Sequence, residues 1–538
     1  MNGAGRPIEL PLRPALFALL LLAYLVPGLI AHDPWKTGDA IGVGIVHQML
    51  QHGQWIVPHL AGEAYFDDGP LYYWVAALTA KLFAPVLAPA DGARLASGVL
   101  IAATLAFVYL AARQLYGKLE GMSAALTLLG CLGLLVHAHE TLAETGMLAG
   151  QALAWYGIAL AMRRPGRAGW LLGAGLAIAA MSKGPAAVIA PAIVAFAAPV
   201  AAWEWRRREY ALTLLVAVLL LGGIAGGWLA LVEAQSPGLV RAWWDANAEQ
   251  FAKPPADALA YWAQTLAWAT WPAWPLAVWT LWERRRRKFE PGTRMLIAAL
   301  AVSLAVLFVL RDPHEVYALP LLLPLALLAG AGVPSLRRGA ANGLAWFGVM
   351  SAGFLGALAW LGWIAMMTGM PPAIARDFAK LEPGHVPHFS WTIFGFALAF
   401  TLAWLWLVVR TERSVMRSVT YWAASITLLW GLVMTLLLSW IDYGKSYRSV
   451  ALALKKALPA GARCVESRGL GESQRAVFDY HTEIVTKPVE RGDSNQCPVL
   501  LVQARQGEND YIDPVWRLIW EGRRPRDRER YRVYVRRP

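Results

Sequence analysis

Apolar runs of about 17 to 25 residues, the length that crosses a ~30 Å hydrocarbon core as a helix, recur along most of the chain. Thirteen such segments can be drawn: 15–31, 95–112, 121–137, 145–162, 168–182, 185–203, 211–232, 264–281, 295–310, 317–334, 341–366, 391–409 and 420–441. The pattern predicts a mainly α, polytopic membrane protein of about 13 transmembrane helices over 1–442. After 443 the long apolar runs stop. Residues 443–538 read as a small soluble α/β domain, with helices around 445–457 and 472–481. Strands are expected near Arg463 to Glu466, Glu483 to Lys487 and Val499 to Gln503, and Tyr531 to Val535 alternates like an edge strand. The stretch Leu71 to Leu87 is apolar but broken by Lys81 and Pro85, which predicts an interfacial helix.

Composition agrees. The 538 residues are 57% hydrophobic and only 16% charged, against roughly 25% in soluble domains. Mean hydropathy is +0.43. The run from Ala15 to Ala31 follows Arg6 and Arg13 as a signal peptide would, but it lacks a small-x-small cleavage pattern. It reads as a retained first span.

The net charge of +13 does not indicate nucleic acid, because the basic residues sit between apolar runs rather than along one face. They also alternate. Arg6 and Arg13 with the connections holding Arg113 and Lys118, Arg163, Arg164 and Arg167, Arg206 to Arg208, Arg284 to Lys288 and Arg294, Arg337 and Arg338, and Arg410, Arg413 and Arg417 carry 21 Lys and Arg. The intervening connections carry nine: Lys36, Lys81, Arg94, Lys183, Arg241, Lys253, Arg311, Arg376 and Lys380. Positive charge stays inside. The N-terminus is therefore expected in the cytoplasm of a bacterial inner membrane, and the C-terminal domain in the periplasm. There Cys464 and Cys497 are candidates for a disulfide.

All ten histidines then fall on the outer side, where two segments, 32–94 and 233–263, are long and polar. The first holds Asp33, Asp39, His59, Asp67, Asp68 and Tyr72; the next connection holds His137, His139 and Glu140, with Glu144 at the head of the following span. Carboxylates in such loops serve as general bases, as ligands for a divalent cation (Asp39, Asp67 and Asp68 here) or as binders of sugar hydroxyls. Cations come from later connections: Lys183 in Ser182-Lys183-Gly184-Pro185, and Arg311 just before His314 and Tyr317. A guanidinium fork suits a phosphate.

Together the Asp-containing first loop, Gly53-Gln54-Trp55-Ile56-Val57-Pro58, Pro70-Leu71-Tyr72-Tyr73-Trp74, the second-loop acid, Ser182-Lys183-Gly184-Pro185 and Tyr317-x-x-Pro320-x-x-x-Pro324 resemble the polyprenyl-phosphate-dependent GT-C glycosyltransferases. The likeness is to the protein-mannosyltransferase and aminoarabinose-transferase branch. It covers about 1–335. It implies a sugar on undecaprenyl phosphate as donor and an inverting transfer to a glycolipid, polysaccharide or protein acceptor at the outer face, and leaves the cofactor open, a divalent cation being the candidate. On that resemblance Asp39 and Glu144 are catalytic, and Lys183, Arg311 and Tyr317 hold the donor phosphate. Asp33, His59, Asp67, Asp68, Tyr72, His137, His139 and His314 bind substrate or support the site. The chain departs from the family in two places. Gly38-Asp39 stands for Asp-Glu, and Asp67-Asp68-Gly69 stands for Glu-Lys-Pro. An inactive relative that binds a lipid-linked sugar, and a transporter or flippase, are the competing readings. Against the transporter, the two halves show no repeat and the ionisable residues gather at one face rather than the midplane.

Overall fold

The structure, a computed structural model, describes residues 14–251, 254–285, 290–411, 414, 416–459, 462, 464–491, 497–505, 513–525 and 527–537. Arg6, Arg13, Lys253, Arg286 to Lys288, Arg413 and Arg463, all used in the sequence reading, lie outside them.

Helix occupies every one of the thirteen apolar segments. α1 (Pro14–Leu25) leads to a polar segment holding α2 (Gly38–His52), the short strands β1 (His59–Leu60) and β2 (Glu63–Ala64), and α3 (Leu71–Phe83). A packed group follows: α4 (Pro89–Leu115), α5 (Lys118–Leu129), α6 (Leu132–His137), α7 (Ala143–Ala161), α8 (Pro165–Lys183) and α9 (Ala186–Ala201). Beyond it run α10 (Arg208–Gln235), α11 (Leu239–Glu249), α12 (Ala258–Ala269), α13 (Ala273–Arg284), α14 (Pro291–Phe308) and α15 (Leu319–Gly332). The helical part closes with α16 (Arg338–Thr368), α17 (Pro372–Leu381), α18 (Trp391–Arg410), α19 (Arg417–Leu436) and α20 (Leu438–Lys445). Among the described residues, seven helices are long and apolar enough to cross a membrane on length and composition alone. Three expected segments are helices in two pieces, one of them 420–441, which divides between α19 and α20 at Leu437. Of the others, one breaks between α5 and α6 at Gly130 and Cys131, the second between α12 and α13 where Pro272 has no N–H to continue the ladder.

The remaining residues form α21 (Arg448–Ala457), β3 (Val465–Arg468), α22 (Glu472–Thr482), β4 (Thr486–Pro488), β5 (Val499–Arg505), β6 (Trp516–Gly522) and β7 (Glu529–Arg536). The sheet order is β4-β3-β5-β7-β6, with β3 parallel to β4 and β5, and β7 antiparallel to β5 and β6. The expected edge strand at Tyr531 to Val535 is therefore internal. β6, marked only by the alternation Trp516, Leu518, Trp520 within a charged stretch, pairs along its free side.

Cys464 and Cys497 are joined, closing 33 residues of chain. A loop of that size is worth about 3–4 kcal/mol by the chain-entropy relation. Replacing both by Ser should cost about that much, read as a lower denaturation midpoint of the sheet in the full protein; an unchanged midpoint would mean the bond constrains nothing.

The sheet-bearing part is tied to the polar segment ahead of α3. Gln48 on α2 donates to Asp479 on α22. Arg475 pairs with Glu63 at 2.8 Å, and Lys36 with Glu529 at 3.0 Å. Asp33 accepts from the Ser446 hydroxyl, while its own N–H and the Trp35 indole both donate to Asp442.

Candidate active site

Two close approaches shape the site, and each needs a glycine. A Cβ on Gly69 would lie 2.1 Å from the Met181 carbonyl oxygen. Without one, the Gly69 N–H reaches the Ser182 carbonyl at 2.9 Å, and the loop lies flat against the end of α8. That brings Asp68 onto Lys183, the last residue of α8. A Cβ on Gly42 would lie 1.9 Å from the Thr141 carbonyl oxygen. Its absence lets α2 settle on the loop between α6 and α7, so that Asp39, one turn earlier, faces Thr141.

At the first contact Lys183 bridges two carboxylates. Its ammonium bonds Asp68 and lies 2.9 Å from Glu144 in the first turn of α7. Tyr73 donates to the second Asp68 oxygen at 2.6 Å. All three charged side chains are nearly buried. Burial raises the Asp68 carboxyl and the Glu144 charge adds to that; Lys183 opposes them, and the balance leaves it near 6. The cluster carries two acids for one cation.

Glu144 and Lys183 line a cavity with about 650 Å³ of empty space. Away from them its walls are mostly apolar, with Met147 of α7, Ala187 and Ala190 of α9, Val306 and Leu307 of α14 and Leu321 of α15, interrupted by Gln151 and Ser303. Tyr317, Gln250 and Leu310 border both this cavity and a second, polar one of about 560 Å³. Asp67, Glu249, Arg311 and Asp312 line the second. Arg311 is exposed, its side chain without a hydrogen bond or ion pair among the described residues, and its N–H donates to the Gln250 carbonyl at 2.9 Å. The first cavity is thus a greasy slot with a charged head, and the second opens that head toward polar surroundings.

The structure brings Glu144, Lys183, Arg311, Tyr317 and Asp67 to these two cavities, and Asp68 reaches them only through Lys183, to which it is bonded. It does not bring Asp39, which the resemblance made catalytic. Asp39 is 1% exposed and lines neither cavity. Arg94 on α4 grips both of its oxygens at 2.9–3.2 Å, the Thr141 N–H and hydroxyl reach Oδ1 at 2.9 and 2.8 Å, and the Trp35 N–H reaches Oδ2 at 3.2 Å. No lone pair is left for a substrate proton. Burial alone would raise this carboxyl, but the Arg94 charge and these bonds override it and hold it at about 2. Its stabilising contribution is complete above the ordinary carboxylate value near 4 and is lost as pH falls through 2.

The proposed metal trio fails as well. Asp39 is held by Arg94 and Asp68 by Lys183, and no group of three His, Cys, Asp or Glu among the described residues is arranged to hold a metal ion. Other expected residues support the scaffold instead. Asp33 anchors to Asp442 and Ser446, His59 binds the Val57 carbonyl at 2.8 Å, and Tyr72 turns from the cavity to Ser97 at 2.7 Å. His139 is buried between the Tyr24 and Leu135 carbonyls. His137 bridges Glu140 at 3.0 Å to Glu315 at 3.7 Å, steadying the turn that presents Tyr317, and His314 packs on the Tyr317 ring. Reading the chain alone missed Gln250 and Glu249, which no local pattern distinguishes. It also missed Arg94, whose signal was a lone cation beside Asp91 at the head of a long span.

Residues 67–225 match the family model described as dolichyl-phosphate-mannose-protein mannosyltransferase. An undecaprenyl phosphate-alpha-4-amino-4-deoxy-L-arabinose arabinosyl transferase of Pseudomonas savastanoi pv. phaseolicola is 28% identical over 78% of this chain and 76% of its own length. Its namesake in Pseudomonas paraeruginosa is 32% identical over 64% of this chain and 65% of itself. The crystal structure of ArnT from Cupriavidus metallidurans bound to undecaprenyl phosphate superposes with a TM-score of 0.68 at 18% identity, covering 96% of this chain and 97% of that one. The chain is similar to GT-C glycosyltransferases of this type over most of its length. At Asp67-Asp68-Gly69, Gly69 permits the contact with α8 that brings Lys183 onto Asp68.

Proposed function

We propose that the protein moves a sugar from an undecaprenyl-phosphate-type lipid donor to a hydroxyl or phosphate oxygen of an acceptor, with inversion at the sugar carbon. The observation that carries this reading is the apolar slot running directly into the Glu144–Lys183–Tyr317 head. A lipid tail fits the slot and its phosphate meets the ammonium. The names of the relatives support a pentose of the aminoarabinose type, and the carboxylates of Asp67, Glu249 and Asp312 suit a sugar bearing an amino group. The site faces the periplasm, where the acceptor is a glycolipid, polysaccharide or protein.

The chemistry follows from the excess of acid over base. An arriving phosphate competes for Lys183 and releases Asp68, already poised near 6, from its ion pair. The acceptor oxygen then bonds the anomeric carbon while the carbon–oxygen bond to phosphate breaks. An acceptor hydroxyl gives its proton to the freed carboxylate, and Lys183, Arg311 and the Tyr317 hydroxyl stabilise the departing phosphate. A single displacement of this kind inverts the carbon. Asp39 acts through structure, pinning Thr141 and so the loop that presents Glu144.

The test is the pH profile of kcat/KM, which reports the free enzyme. With purified protein and undecaprenyl-phosphate-linked aminoarabinose, the rate should rise with pH through about 6, because the base must lose its proton. Asp68→Asn should remove that limb and slow transfer about 10²–10⁴-fold. An unaltered limb in that variant would move the base elsewhere, and no transfer by the unmodified protein to any envelope acceptor would overturn the reading.

A further inference from the structure

At the far end of α15 from Tyr317, about 21 Å of helix away, two cavities flank the first turns of α16 and share Leu336. One has about 1530 Å³ of empty space bordered by Arg338, Asn342, Ser414, Arg417 and Ser418. The other, about 910 Å³, is a slot of Trp271, Pro272, Trp279, Leu344 and Phe347 between α13 and α16. Among the described residues no carboxylate lines either one. We propose that together they form a binding site for an anionic diacyl phospholipid of the leaflet opposite the candidate active site, its phosphate on Arg338 and Arg417 and an acyl chain in the aromatic slot.

Unmet polar groups point to a ligand. Ser418 is 1% exposed, and its hydroxyl has no partner among the described residues. The Arg417 Nε is likewise buried and unpartnered, its guanidinium lying 4.8 Å from the Tyr421 ring centre. A buried polar atom left unpaired is costly, so a phosphate oxygen there repays more than it would in water. The first turns of α16 and α19 both start without a side-chain cap, adding free N–H groups and the positive ends of two helix dipoles. The half-buried Arg417 and the exposed Arg338 supply two cations to one phosphodiester, and the neighbouring apolar slot selects a lipid over free phosphate. Its rim is fixed: the Trp279 indole donates to Ser335 at 3.2 Å, and Arg337 stacks on the Trp279 ring.

The experiment is native mass spectrometry of the full protein titrated with phosphatidylglycerol, phosphatidylcholine or undecaprenyl phosphate. Phosphatidylglycerol should bind at least about tenfold better than phosphatidylcholine, and the R338Q/R417Q pair should abolish that preference. Gly343→Phe fills the slot without touching a charge and should weaken phosphatidylglycerol equally; a Cβ there meets nothing within 4 Å, so the fold is spared. Undecaprenyl phosphate binding should survive both changes, because its head sits at Lys183 on the other face; that arm also separates this site from the transfer reaction. Equal binding of the two phospholipids, indifference to both variants, or loss of undecaprenyl phosphate rather than phosphatidylglycerol would each overturn the proposal.

Discussion

A Lys183→Gln protein is expected to transfer sugar about 10²–10³-fold more slowly than the unmodified one, the usual cost of removing one preorganised charge from a developing anion. Among the described residues the ammonium is the one side-chain cation that borders the apolar slot. It lies where a lipid phosphate meets the head of that slot, and it keeps Asp68 and Glu144 from repelling each other. The same change should weaken undecaprenyl phosphate binding far more than it raises the KM for acceptor. Arg311→Gln, at the polar mouth, should show the same bias less strongly. Transfer within fivefold of normal in Lys183→Gln, or equal losses on donor and acceptor, would place the phosphate elsewhere. Folding is the necessary control. Asp68 left without its cation takes up a proton more readily, so melting should be compared at pH 6 and pH 8, with the larger deficit at pH 8.

Asp39→Asn is expected to destabilise the protein by about 3–5 kcal/mol, since it strands the Arg94 guanidinium, which is 0% exposed, without its counter-charge. Asp91, 2.8 Å from the same guanidinium, offsets only part of the loss. The double variant Asp39→Asn with Arg94→Met should recover part of the stability, because it removes the stranded guanidinium, while Asp91 loses its ion-pair partner. A melting measurement in detergent decides the matter. If Asp39→Asn melts normally yet has no turnover, the carboxylate serves the chemistry directly and Glu144 and Asp68 do not suffice.

The division between what could and could not be read from the chain follows the range of each interaction. Helix position is a local property of hydropathy, so every drawn segment contains helix, and the breaks at Gly130 and Pro272 sit inside runs that hydropathy alone leaves whole. Glu144, Lys183 and Tyr317 were legible because each stands at the edge of an apolar run, where an ionisable or phenolic group is conspicuous. Their union with Asp68 was not, because it depends on a glycine-permitted contact between a loop and the end of α8, more than a hundred residues apart. Arg94 illustrates the opposite failure. Counted as one of the few cations on the sparse side of the membrane, it looked like a topology signal, while its partner Asp39 looked catalytic. Only the fold shows that each neutralises the other. The strand β6 escaped notice because arginines and acids interrupt its alternating tryptophans, and with it went the correct place of β7.

The ties between α2 and α22 set an order of assembly. Gln48 meets Asp479 only after 431 further residues have been made and delivered to the same side of the bilayer. During synthesis, the segment that seats Asp39 must wait beside the membrane while the spans beyond it insert.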